Sequence, residues 1–337
     1  MAILHAGSSH SEFIFNGALN SQSSTAGLPT LPASFSECIV MDGALSIPAY
    51  VEMNFAPIAE VWVAFDLYVA ARRTFFPFLE FYNTTYSTTQ PLFTIKFPTN
   101  DLAAHFYYWN GTTMVDAGTL PNDFFDSNTR RYDTRLKMAN TGGVFEVMKE
   151  IRDLSTASIT DTIHTTATTI DRIRVQGCGV GSGQRHYYFN IFAADEDTKQ
   201  FELASVTPSA NGALQGWAGT FSNINEAGVN DATTISAAAA DTLSTFIFPA
   251  MPTRLTNFKV AALILGGRGS GGAASPTTFE GVARVGGTDY TTTAEANVPI
   301  TLATGPFMFK WTLNPATGLP WTVAEINSSQ WGFKSKT

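Results

Sequence analysis

The chain has little that would support several broad classes of protein. It carries two cysteines, Cys38 and Cys178, in 337 residues, so a disulfide scaffold is excluded by count. They read as small buried hydrophobes, or as one pair if their strands are neighbours. Charged residues make up 14% of the chain, against a usual figure of about 25%. The formal net charge of −8 includes no basic block, which argues against nucleic-acid binding. No apolar run reaches the ~20 residues of a membrane span, so no membrane insertion is expected. Met1–Asn20 shows neither the basic start nor the apolar stretch of a secretory leader. No residue pattern of ten or more positions repeats at the helical period, so long helices are not expected either.

Apolar and aromatic residues are plentiful. Hydrophobic residues reach 44%, and 26 of the residues are Phe, enough to bury a large core. Val61–Val69 places Val61, Val63, Phe65, Leu67 and Val69 on one side of an extended strand. Phe75–Tyr82, Pro91–Phe97 and His105–Trp109 follow, parted by Thr, Asn, Gly and Pro, and Asn110-Gly111 marks a hairpin. Arg131–Met138, Val144–Ile151, Ile170–Val175 and Tyr187–Ala193 continue the series. Eight to ten strands with no long helix imply two packed antiparallel sheets. Residues 1–197 hold 12 Lys and Arg against 20 Asp and Glu, whereas residues 198–337 hold eight of each. That shift sets a boundary near residue 197, and a second sandwich of six to eight strands is expected beyond it. Gly266–Gly272 reads there as a loop with no side chains to pack.

Residues 1–36 are rich in Ser, Gly and Ala and hold one charge, Glu12. They read as an extended arm, either leading into the first domain or held by a partner. Phe13 and Phe15 share one side of it and are the assembly-anchor candidates. The organisation is therefore an arm over 1–36, a sandwich over 37–197 and a C-terminal sandwich over 198–337.

Two resemblances add to this. Asn314-Pro315, Thr317-Gly318, Trp321-Thr322 and Ile326-Asn327, followed by Trp331-Gly332 and Lys334, resemble the C-terminal module of tailed-bacteriophage virion proteins over roughly residues 215–337. Thr322 and Glu325 have the spacing of a capping box within it, and Gly318 is free to take φ > 0. In the first sandwich, the long strand at 61–69, the aromatic hairpins, Ile170–Val175 and Tyr187–Phe192 resemble in order a laminin-G/concanavalin-A-like jelly roll. The fold expected is all-β, two consecutive antiparallel β-sandwiches, the first of this lectin-like kind. The resemblance implies a virion location and partners that are other virion proteins and copies of the chain itself, as a homotrimer. It also implies a host cell-surface polysaccharide as a possible ligand.

Chemistry-bearing constellations are sparse. The five histidines show no zinc spacing outside His5 and His10, so no metal is expected. No nucleophile elbow occurs, and the glycine run lacks the Lys-Ser/Thr of a phosphate loop. His105 reads as a strand residue more than as a base. Glu80, Asp66 and Glu146 lie on or near strands but cannot be paired by spacing, as a glycosidase would require. Tyr107, Trp109 and Asn110 at the hairpin tip are the glycan-binding candidates: rings stack on sugars and amides read their hydroxyls. The resulting expectation is a non-enzymatic subunit of a phage tail fibre or baseplate appendage, without cofactor or catalytic residues. Two alternatives stay open, a virion-borne glycan depolymerase and a capsid head fibre or decoration protein.

Overall fold

A computed structural model describes residues 3–7, 14–16, 19–22, 38–42, 50–69, 77–98, 103–122, 124–125, 130–139, 142–150, 153–160, 167–176, 185–199, 201–225, 232–255, 259–270, 276–292, 298–299 and 305–337. Contacts divide the chain into two units, Met1–Leu203 and Ala204–Thr337. The boundary lies six residues beyond the break in charge.

Unit one is a pair of antiparallel sheets. The first holds β1 (Ile3–Gly7), β3 (Leu19–Gln22), β4 (Cys38–Asp42), β6 (Glu60–Val69), β11 (Arg130–Ala139), β12 (Gly142–Lys149), β13 (Asp153–Thr160) and β15 (Arg185–Ala194). Its order is β13-β12-β11-β6-β15-β4-β3, with β1 also on β15. The second holds β2 (Ile14–Asn16), β5 (Tyr50–Ile58), β7 (Pro77–Tyr82), β8 (Phe93–Lys96), β9 (His105–Trp109), β10 (Met114–Thr119) and β14 (Ile170–Gln176). Its order is β10-β9-β8-β7-β14-β5-β2.

The alternation seen in the sequence decides which faces meet. Val61, Val63, Phe65 and Leu67 are buried, and so are Tyr132, Leu136 and Met138 from β11. Opposite them stand Val51, Met53, Leu79, Phe81, Phe93, Ile95, Ile173 and Val175. Phe145 of the first sheet touches Phe81, Phe93 and Phe106 of the second, with ring centroids 5.3, 6.3 and 5.0 Å apart. Such edge-to-face contacts fix the two sheets beyond what burial alone supplies.

The described parts of residues 1–36 are strands of unit one. β1 pairs with β15, β2 with β5 and β3 with β4. The main-chain hydrogen bonds that a partner was needed to provide come from the same chain. Phe15 lies in β2, opposite Val51, while Phe13 lies outside the described residues. Cys178 does too, so pairing with Cys38 lies beyond what is described.

Unit two has a sheet ordered β16-β17-β23-β19-β20, with β21 on β19, and a separate ribbon β18-β22. Its strands are β16 (Ala210–Gln215), β17 (Leu243–Ile247), β18 (Leu263–Gly269), β19 (Thr278–Val285), β20 (Thr288–Thr291), β21 (Val298–Pro299), β22 (Gly305–Trp311) and β23 (Gln330–Lys336), and α1 spans Val323–Ser328. The ribbon packs on the sheet through Phe307 and Phe309 against Phe279 and Phe333. Here the glycine run departs from the expected loop. Gly266, Gly267 and Gly269 are strand residues facing β22. A Cβ on Gly267 would stand 2.8 Å from the Phe307 ring, so the missing side chain makes room for an aromatic.

The C-terminal passage folds as its residues suggest. Gly318 has φ +70° and donates to the Asn314 carbonyl at 2.7 Å. Thr322 accepts from the Glu325 amide and Glu325 accepts from the Thr322 amide, a complete capping box for α1. Trp331 packs between Trp311 and Trp321, at 5.4 and 5.2 Å.

Candidate functional site

In the second sheet of unit one, Phe106 points to the core, so His105, Tyr107 and Trp109 point the other way. They share this outer side with Lys96 and Thr94 on β8, Glu80 and Tyr82 on β7, Arg172, Arg174 and Gln176 on β14, and Glu52 and Tyr50 on β5. The registers align these residues across six strands: Trp109↔Met114, Tyr107↔Thr94, Glu80↔Arg174 and Arg174↔Glu52. The result is a band of rings, guanidinia, amides and carboxylates on a single sheet face.

The centre of the band is a closed network. Arg174 Nε donates to Glu52 Oε2 at 2.7 Å, and its Nη1 donates to the Tyr82 hydroxyl at 3.1 Å. The Tyr82 hydroxyl donates in turn to Glu80 Oε2 at 2.6 Å, an oxygen that also accepts from Gln176 Nε2. Asn54 Nδ2 donates to Glu52 Oε1 at 3.1 Å. Arg172 lies over the Tyr82 ring at 4.6 Å and donates to the Thr88 carbonyl. Glu52, Glu80, Tyr82, Arg172 and Gln176 are buried. Burial pushes the Glu80 carboxyl above its usual range, against the pull of the Tyr82 hydroxyl and Arg174. Burial, then the neighbouring Glu80, raises the Tyr82 phenol as well.

The end of the band on β8, β9 and β10 is more open and chemically distinct. His105 Nδ1 lies 2.6 Å from Asp116 Oδ2. The other carboxylate oxygen accepts from the Gly118 amide at 2.9 Å, within a β-bulge between Asp116 and Gly118. Gly118 has φ +142°, a value that side chains other than hydrogen rarely allow. Lys96 Nζ sits 3.9 Å above the Tyr107 ring centroid, and that ring lies alongside His105 at 6.1 Å. Burial lowers the Lys96 ammonium below its usual range, partly offset by Asp116.

Two of the three glycan-binding candidates, Tyr107 and Trp109, thus share the outer face. Tyr107 already has Lys96 over its ring. Trp109 is half-buried at the strand end. Asn110 is committed to its turn, because its side-chain oxygen accepts from the Thr112 and Thr113 amides, both at 2.9 Å. The His105–Asp116 pair was not foreseen. The Asn110-Gly111 hairpin sets Asp116 opposite Tyr107, one step from His105, and that register was the available signal.

Another concavity, of about 360 Å³, lies on the first sheet among Trp62, Asp133, Arg135, Glu146, Met148, Asp197 and Lys199. Arg135 and Lys199 already stand over the Trp62 ring at 5.4 and 5.3 Å, and Asp133 is held by Arg131 and Thr198. Its polar groups are therefore engaged with one another. Among the described residues, no group of three or more His, Cys, Asp or Glu gathers as a metal site. No described helix is long and apolar enough to cross a membrane.

No family model matches the chain, and no curated protein does. Solved structures do resemble it. An alginate lyase, vAL-1, from Chlorella virus is 10% identical, with a TM-score of 0.38, over 55% of this chain and 93% of its own. A carbohydrate esterase from the Shiga toxin-encoding bacteriophage phi24B is 12% identical, with a TM-score of 0.38, over 58% and 99%. The CBM2 module of the evolved Dit of Lactobacillus casei BL23 phage J-1 is 8% identical, with a TM-score of 0.35, over 48% and 77%. At this level no residue role is carried over. The expectation of a chain without enzymatic activity is nonetheless corrected. Its neighbours include a lyase and an esterase.

Proposed function

We propose that the chain is a subunit of a tailed-phage virion appendage, of tail fibre or baseplate type, whose first sandwich engages a host cell-surface glycan on the outer face of its second sheet. The observation that carries this is the band from Trp109 to Tyr50. It carries aromatic rings at one end and polar side chains held in place by one another along its length, the mixture that sugar recognition needs. The C-terminal passage around Asn314–Lys334 supports the virion setting. Self-association as a homotrimer and contact with other virion proteins belong to the same proposal.

The test has two parts. Immunogold electron microscopy of virions should label an appendage. Purified protein should be retained by host surface polysaccharide, and Trp109→Ala should weaken retention about tenfold, the loss of one stacked ring. Label on the capsid would favour a head fibre or decoration protein. Retention unchanged in Trp109→Ala would move the glycan elsewhere.

A further inference from the structure

We infer that the open end of the band selects an acidic glycan, and that the Lys96 ammonium is the contact for its negatively charged substituent, a carboxylate or a sulfate. This rests on the glycan-engaging reading of the same face and names the substrate class.

The position of Lys96 follows from strand parity. Phe93 and Ile95 of β8 lie in the core, so Thr94 and Lys96 point to the outer side. Lys96 stands opposite His105, and Thr94 opposite Tyr107. The ammonium reaches diagonally and lies 3.9 Å from the centroid of the Tyr107 ring. Among the described residues, Lys96 makes no hydrogen bond and no ion pair. The ring gives the cation its negative face but no oxygen acceptor for the N–H groups.

The carboxylates of the face are in the opposite condition. Asp116 Oδ2 lies 2.6 Å from His105 Nδ1, and Oδ1 accepts from the Gly118 amide at 2.9 Å. Glu52 Oε1 accepts from Asn54, and Oε2 from Arg174. Glu80 Oε2 accepts from both Tyr82 and Gln176. The other cations of the face, Arg172 and Arg174, are paired with Glu52. Lys96 is therefore the cation left over, and what it lacks is a charged acceptor.

Burial has taken water from this ammonium without giving it a hydrogen bond. An incoming anion thus returns more to it than to a fully solvated lysine. A charged acceptor makes roughly twice the hydrogen bond that a neutral one does. A neutral sugar offers hydroxyls alone, and that difference is the basis of selection. The rest of the sequence sharpens it. Residues 1–197 hold 12 Lys and Arg against 20 Asp and Glu, so their summed charge repels an acidic polymer, and attraction has to come from a local cation. Asp116 acts in the opposite direction to Lys96. Its charge is felt at the ammonium, where it partly offsets the effect of burial, and an anion bound there feels it too.

The experiment measures the affinity of the full chain, by affinity electrophoresis, for two pairs of polymers. Polygalacturonate is set against its carboxyl-reduced form, and dextran sulfate against dextran, with host surface polysaccharide run alongside. The expected result is an acidic polymer bound about tenfold more tightly than its neutral counterpart, with the gap narrowing as salt rises. The pair that shows the gap tells carboxylate from sulfate. Lys96→Met keeps the stem beside Tyr107 and should lose about tenfold for the acidic polymer and nothing for the neutral one. Lys96→Arg should keep the preference. Asp116→Asn should strengthen acidic binding several-fold, a direction that loss of structure would not produce. A melt of each variant confirms its fold. Equal affinities within both pairs, with host polysaccharide retained, would overturn the inference and leave the binding proposal standing. A gap that survives Lys96→Met would place the anion at another cation and overturn the assignment. Retention of no polymer, host polysaccharide included, would overturn both.

Discussion

Asp66 and His186 lie on the adjacent strands β6 and β15, and burial moves them in opposite electrical senses. Burial raises Asp66 to about 6, against Arg131 and the Asn190 amide, which donates to it at 3.0 Å. Asn190 occupies the left-handed region, φ +47°, at the bulge in β15, a place that Asn tolerates. Burial lowers His186 to about 4. Folding favours the neutral acid at Asp66, so its contribution is whole below the unfolded value of about 3.9 and fades as pH rises through about 6. Folding favours the neutral ring at His186, so that contribution is whole above about 6.5 and fades as pH falls towards about 4. Each is on the order of 2–3 kcal/mol, and between pH 4 and 6.5 they oppose. Wild-type stability should be nearly flat there. Asp66→Asn should gain about 2–3 kcal/mol at pH 8 and reveal a loss on acidification from pH 6.5 to 4.5. Urea unfolding at several pH values checks this, and a variant with the wild-type profile would show that Asp66 ionises freely. The parity of these residues was legible from their strands. Their shifts were not, because how deeply each is buried depends on residues distant in sequence.

Among elements, those governed by local chemistry were the most legible. The hairpin at Asn110-Gly111, the turn at Asn314–Gly318 and the cap of α1 each rest on residues adjacent in sequence. Thr322→Ala removes the acceptor for the Glu325 amide and should cost about 1 kcal/mol, read as a shift in the denaturant midpoint of unit two. An unchanged midpoint would mean that packing of Ile326, which is buried, holds the helix alone. Elements that depend on distant partners were less legible. Ile3–Gly7, Ile14–Asn16 and Leu19–Gln22 read equally as a partner-held arm or as chain leading into the first domain, because none is apolar enough to announce a strand. Their partners lie up to 191 positions away, as Ile3↔Ala194 shows. The glycines of β18 were misread for the converse reason, since the Phe307 ring that needs their emptiness is forty residues further on. The His105–Asp116 pair was missed although the hairpin register sets Asp116 opposite Tyr107, one step from His105.

For the whole molecule, the all-β class and the number of sandwiches followed from composition and alternation, since period-two patterns and abundant Phe leave few other ways to bury the chain. The break in charge near residue 197 lies six residues before the point where contacts divide, at Leu203. The site was not readable as a whole, since its residues come from six strands that composition cannot order. Separate cores predict separate responses to damage. Trp321, 3% exposed and packed on Trp331, should cost about 3–5 kcal/mol when cut to Ala. Calorimetry should show the transition of residues 204–337 falling while that of residues 1–203 holds. A single transition that shifts as a whole would mean that the two units unfold together. The pairing of β1 with β15 also bears on synthesis. β1 cannot close its ladder until residue 194 follows it from the ribosome, roughly 10–40 s later at ordinary elongation rates. Unit one is therefore a late-closing, non-local fold. Through that interval its earliest segments are available to neighbouring nascent chains, so crowding on a polysome and cultivation temperature should govern its yield more than the stability of the finished sandwich does.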